Sequence, residues 1–186
     1  MSCLRGGFSV DKIARVLVTT ECNLKCHYCC NKMPEIQASF KMTTMGEFLE
    51  RANEYSGINI SGGEPLLAVE KTCTMIRTIK NTSSAKVYIY TNAMIRPYTK
   101  HWKTLSLLDG VNIGVHGNFD NIKTNILVWI DILKTRAPNL NHTIRVHVQD
   151  IKCTPEIVSF CNQNGITLYL WELNNCNKIQ EDRYIL

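Results

Sequence analysis

Three cysteines lie close together in the run Cys22-Asn-Leu-Lys-Cys26-His-Tyr-Cys29, a C-x3-C-x2-C spacing. Thiolates are the usual ligands of iron–sulfur clusters, and so short a spacing lets one loop wrap a single cluster. Three ligands for a four-iron core leave one iron without a protein ligand. An open position of that kind marks catalytic rather than structural metal sites. Zinc and redox-active thiols are the competing explanations. Structural zinc takes four ligands; His27 or Cys30 could supply the fourth, but each abuts a neighbouring ligand in an awkward chelate. No second C-x2-C pair follows downstream.

A second group with chemical potential is Gly62-Gly63-Glu64-Pro65. Read alone, it is a turn between a strand and a helix: two glycines let the backbone approach a neighbour closely, and Pro65 suits a helix start. Asn92 and His116 end predicted strands, and Arg145 lies on the polar face of another. A guanidinium there needs a partner, either an anionic ligand or a structural carboxylate. His147, Gln149, Tyr169 and Trp171 share that polar side, as substrate contacts or as packing. The dispersed Cys3, Cys73, Cys153, Cys161 and Cys176 read as small buried hydrophobes.

Alternating strand and helix must position these residues. Strands are expected at 13–19, 57–61, 86–91, 111–115, 143–148 and 166–171. The cysteines ride on a long loop, 21–42. Thr44 and Glu47 have capping-box spacing and open a helix to about residue 55. Further helices are expected at 66–79, 98–108, 121–135 and 154–164, the last with Pro155 in its first turn and Gly165 past its end. Six strands joined by helices mean parallel pairing with right-handed crossovers. Strands covered on both faces would be continuously apolar, yet these alternate. Val111, Ile113 and Val115 oppose Asn112, Gly114 and His116; Ile144, Val146 and Val148 oppose Arg145, His147 and Gln149. An α/β fold with an open, partial barrel and a polar lumen explains this better than a flat doubly wound sheet.

Together, the C-x3-C-x2-C loop after the first strand, with Tyr28 before its last cysteine, and Gly62-Gly63-Glu64-Pro65 after the second resemble the radical S-adenosylmethionine superfamily. The resemblance covers residues 13–173 and implies a partial (β/α)6 barrel. It implies a [4Fe–4S] cluster on Cys22, Cys26 and Cys29, whose fourth iron chelates the amino and carboxylate groups of S-adenosylmethionine. Reductive cleavage then yields a 5′-deoxyadenosyl radical that takes hydrogen from a substrate, and the protein orients the cofactor and excludes side reactions. It further implies that Gly62, Gly63, Glu64 and Pro65 meet the methionine amino group, with Glu64 accepting from it. Tyr28 would lie near the adenine. Asn92 and His116 would contact the ribose or carboxylate, and Arg145 the cofactor carboxylate or an anionic substrate.

The 186 residues are expected to form one domain, a core at 13–173 with a polar tail at 174–186. The first residues lack the apolar core of a signal peptide and no stretch has the length of a membrane span, so an intracellular, cytoplasmic protein is expected. The net charge of +5 is scattered rather than blocked, which argues against a nucleic-acid partner. The expected partners are a small-molecule, nucleotide or peptide substrate in the lumen and a one-electron donor such as a flavodoxin or ferredoxin. An activase that installs a glycyl radical on a partner enzyme is an alternative. So is a non-catalytic iron–sulfur or zinc protein.

Overall fold

Alternation along the strands decides which face of the sheet is covered. The computed structural model describes residues 12–135, 142–149, 152–171 and 181–186. Cys3, Cys176, residues 174–180 of the expected tail and the side chain of Trp171 lie outside them. The described strands are β1 (Ile13–Leu17), β2 (Phe40–Met42), β3 (Gly57–Ser61), β4 (Lys86–Thr91), β5 (Gly110–Val115), β6 (Thr143–Gln149), β7 (Thr167–Trp171) and β8 (Asp182–Ile185). All pair in parallel, in the order β2-β8-β1-β3-β4-β5-β6-β7. They form the wall of an open, partial α/β barrel.

The apolar set of each central strand is fully covered. Val87 and Ile89 on β4, Val111 and Ile113 on β5 and Val146 and Val148 on β6 are all 0% exposed. They belong to one core with the buried faces of α3 (Val69–Thr82), α5 (Asp120–Ile130) and α6 (Pro155–Asn164), through residues such as Met75, Ile76, Ile126, Trp129 and Cys161. Each such side chain contributes about 1.5–3 kcal/mol by leaving water. The opposite set, Tyr88, Tyr90, Arg145 and His147, faces the lumen.

Local signals start two helices and end one of them where expected. Thr44 caps α2 (Met45–Glu50): the Glu47 N–H donates to Thr44 Oγ1 at 3.2 Å and the Thr44 N–H to Glu47 Oε2 at 2.8 Å. Thr154 caps α6, and Gly165 ends it in the left-handed region at φ +62°. Several helices are shorter than their apolar pattern. The segment expected at 98–108 is a 3-10 turn, Thr99–His101, followed by α4 (Trp102–Leu105). The cysteine loop contains a 3-10 turn (Cys30–Lys32), the four-residue α1 (Pro34–Gln37) and strand β2.

The larger correction is the tail. Its described part is strand β8, inserted between β1 and β2. Tyr184, 3% exposed, is the anchor. Its hydroxyl lies 2.6 Å from that of Tyr55, which donates to Asp182 at 3.0 Å, and its ring meets Phe48 edge-on. A polar composition concealed a strand whose pairing partners are remote in sequence.

Candidate functional site

The sheet ladder does not stop where β1 and β3 end. The Val18 N–H donates to Ser61 O (3.0 Å), the Gly63 N–H to Thr19 O (2.9 Å) and the Glu64 N–H to Glu21 O (2.7 Å). These bonds zip the root of the cysteine loop onto Gly62-Gly63-Glu64. Only glycine permits so close an approach: a Cβ on Gly62 would lie 2.5 Å from Thr19 O, and one on Gly63 would overlap the Glu21 carbonyl and lie 2.8 Å from Cys22 N. From the far side of the loop, the Asn31 amide donates to Gly62 O at 2.7 Å.

The two motifs therefore share one cavity of about 310 Å³ at the C-terminal ends of the strands. Cys22, Cys26 and Cys29 line it, with Tyr28, Gly62, Gly63, Asn92 and His116. All three thiols are free; Cys22 is exposed and the other two half-buried. Burial raises the Cys26 pKa, and the neighbouring Cys29 and Cys22 raise it further. Burial likewise raises that of Tyr28, helped by Cys26. The Tyr28 hydroxyl sits 3.4 Å from His116 Nδ1, and Lys152 lies over its ring at 5.3 Å. His116 is held below its ordinary pKa by burial, then by Lys152. Gly114 makes room for its ring, since a Cβ there would run into Nε2.

Other expected site residues are placed elsewhere. Glu64 is 0% exposed. Its Oε1 accepts from Leu66 N–H (3.1 Å) and the Thr91 hydroxyl (2.8 Å), and its Oε2 from Asn92 N–H (2.8 Å). The carboxylate thus braces the end of β3 to the end of β4 and is outside the cavity lining. Burial raises its pKa, against the three donors that favour the charge. Pro65 is buried at the start of a 3-10 turn, Pro65–Ala68. Arg145 lies over the Tyr88 ring, 5.1 Å from its centroid, and is outside the cavity lining. His147 does line the cavity. It stacks on Tyr169 at 5.1 Å, and its Nε2 lies 3.2 Å from Asn112 Oδ1. Burial and then Arg145, Arg15 and His116 push its pKa down to about 4.

Arg15 was not singled out from sequence, yet it lines the same cavity. Its guanidinium covers the Tyr90 ring at 4.7 Å, and its Nε meets Glu181 Oε1 at 2.6 Å. The polar alternation Arg15 makes between Ala14 and Val16 was the available signal; Glu181, at the foot of β8, had none.

Three free thiols on one cavity suit a cluster with an open iron. Among the described residues no trio of His, Cys, Asp or Glu closes on a single metal ion; three thiolates on one loop are the usual donors of an iron–sulfur core. A parallel partial barrel with this loop at its strand ends is the architecture of a radical S-adenosylmethionine core domain, with a [4Fe–4S] cluster as its metal centre.

The family model described as a 4Fe-4S single cluster domain matches residues 12–129, and the chain belongs to that family. Similar curated proteins include a probable GTP 3′,8-cyclase of Methanococcus aeolicus, 33% identical over 181 residues, covering 87% of this chain and 59% of that protein. The GTP 3′,8-cyclase of Clostridium acetobutylicum is 29% identical over 161 residues, covering 84% and 50%. The chain thus spans 50–59% of these relatives. Among solved structures, anSMEcpe with bound AdoMet and the Cp18Cys peptide has the same fold. Its TM-score is 0.59 at 15% identity, over 88% of this chain and 51% of that one.

Proposed function

We infer that the chain is a radical S-adenosylmethionine enzyme in which Cys22, Cys26 and Cys29 hold the cluster. The observation that carries this reading is the common cavity: the three thiols open onto the same space as Gly62, Gly63, Asn92 and His116. When bound and reduced, the cluster supplies the electron that splits S-adenosylmethionine into methionine and a 5′-deoxyadenosyl radical, which takes a hydrogen atom from substrate. The chain's own residues seat and shield that chemistry. The Gly62–Glu64 zip fixes the loop root, and the backbone of Gly62 and Gly63 is the surface offered to the methionine end. Tyr28 and His116 offer ring faces and an uncharged imidazole on the opposite side.

The lumen supports a nucleotide as the substrate class. Arg15, Tyr90 and His147 line the cavity; Arg15 covers the Tyr90 ring, His147 contacts the rings of Tyr90 and Tyr169, and Arg145 covers Tyr88 on the same set of strands. Anionic groups and planar bases suit such a surface. GTP is the first nucleotide to test, since the curated relatives are named for it. A one-electron donor of the flavodoxin or ferredoxin class completes the proposal.

The test is anaerobic reconstitution, reduction with dithionite and assay of 5′-deoxyadenosine, with and without GTP. Formation above a Cys26→Ala control is expected. A fully loaded wild-type cluster that yields none removes the enzyme reading; yield indifferent to GTP, with GTP unconverted, removes only the nucleotide.

A further inference from the structure

The corner that ends β4 is built to present one amide to the cysteine loop. Asn92 is 7% exposed. Its backbone N–H donates to Glu64 Oε2 at 2.8 Å, and its side-chain Oδ1 accepts from the Met94 N–H at 2.9 Å. The second bond decides which end of the amide is oxygen, because a backbone N–H can only donate. Nδ2 therefore faces the loop, 2.8 Å from Asn23 Oδ1 and 3.9 Å from Cys22 Sγ. The Leu24 N–H reaches the same sulfur at 3.4 Å.

The residue that follows carries strain. Ala93 is fully buried at φ +53°, the only positive-φ residue other than glycine among those described. Such a conformation costs about 1–3 kcal/mol and persists only where the surroundings over-determine it. They do so here. The Ala93 N–H donates to Thr91 Oγ1 (3.1 Å), the Thr91 hydroxyl to Glu64 Oε1 (2.8 Å), and Asn125 Nδ2 to Ala93 O (2.8 Å). The turn lets Asn92 Oδ1 and the Met94 N–H close on each other, which is what aims Nδ2 at the loop.

We propose that Asn92 is a positioning residue for the cluster, clamping Cys22 through Asn23 and directing an N–H at the Cys22 sulfur to set the potential at which the cluster takes up its electron. This rests on the reading of Cys22 as a ligand. Reduction adds negative charge to the cluster, and N–H dipoles aimed at its sulfurs stabilise that charge and raise the potential. Both Asn92 side-chain donors are spent on the loop, so its role is exerted through Cys22.

The experiment is an EPR-monitored redox titration of the anaerobically reconstituted chain, without S-adenosylmethionine, with iron measured per chain. Asn92→Ala removes the donor and is expected to move the midpoint to more negative potential at wild-type iron content. Asn23→Ala deletes the competing acceptor, lets Nδ2 settle on the sulfur, and is expected to move the midpoint positive. Loaded variants that both keep the wild-type midpoint overturn the proposal and leave the cluster assignment standing. Should Asn92→Ala fail to retain iron, the exposed Asn23→Ala decides alone, an unchanged midpoint again overturning it. A wild-type chain that takes up no cluster overturns the ligand reading and the proposal with it.

Discussion

Replacing Gly62 by alanine puts the zip between the two motifs under a measurable load. The new Cβ would start 2.5 Å from Thr19 O and 3.2 Å from Thr19 Cγ2, whereas ordinary contact begins near 3.4 Å. The Thr19 carbonyl is backbone, not the end of a flexible side chain, so it must retreat by about 0.9 Å, the difference between 3.4 and 2.5 Å. That same carbonyl accepts the Gly63 N–H at 2.9 Å, and a retreat of this size breaks the bond. Losing it costs about 0.5–1.5 kcal/mol and the overpacking about 1–3 kcal/mol, together roughly 1.5–4.5 kcal/mol. In a chain of this length that lowers the melting temperature by roughly 3–18 °C. Cluster loading falls as well, because the displaced segment is the root of Cys22. The assay is thermal unfolding of the metal-free chain beside iron per chain after anaerobic reconstitution. Gly117→Ala, whose Cβ would meet nothing within 4 Å, is the matched control and should behave as wild type. A Gly62→Ala chain that melts with the control and loads iron fully would refute the argument from the zip.

The remaining predictions are shorter. Glu64→Ala leaves the Asn92 and Leu66 N–H groups and the Thr91 hydroxyl without their acceptor and should cost roughly 3–5 kcal/mol in urea unfolding; a loss under about 1 kcal/mol would show that the brace carries no weight. His147 is uncharged in the folded chain down to about pH 4, whereas an ordinary histidine titrates near 6.5. Between these values the unfolded chain holds the extra proton, so stability is full above pH 6.5 and falls by about 3 kcal/mol as pH drops to 4. Urea midpoints of His147→Gln should show a flatter slope across that window. Tyr184→Phe removes the hydroxyl shared with Tyr55 and should lower stability by about 1 kcal/mol, with proteolysis of the C-terminal strand quickening. At pH 8, iodoacetamide should modify exposed Cys22 well before Cys161, which is fully buried and whose thiol pKa burial pushes up to about 11; equal rates would contradict the packing of α6.

Much of the fold could be read from local pattern because the physics there is local. The apolar alternation of 111–115 and 143–148 demanded a sheet with one covered face, and the caps at Thr44, Thr154 and Gly165 act within a few residues of themselves. Strand β8 escaped because nothing in 181–186 says that its partners are β1 and β2. Glu64 shows the same division. Its place beside Gly62 and Gly63 was visible, but whether a carboxylate faces a ligand or its own scaffold depends on where Thr91 and Asn92 lie, some thirty residues on.

The sequence by itself determined the chemistry on offer: three thiols at a spacing one loop can close, and two glycines that allow another backbone to come near. Ligand identity and spacing are covalent facts, so no fold was needed to read them. Only the tertiary structure decided which backbone comes near, that Glu64 is a brace, that Arg15 reaches the cavity and that the Asn92 amide turns toward Cys22. Those outcomes depend on strand register and on hydrogen bonds between distant segments, which exist only once the sheet has closed around them.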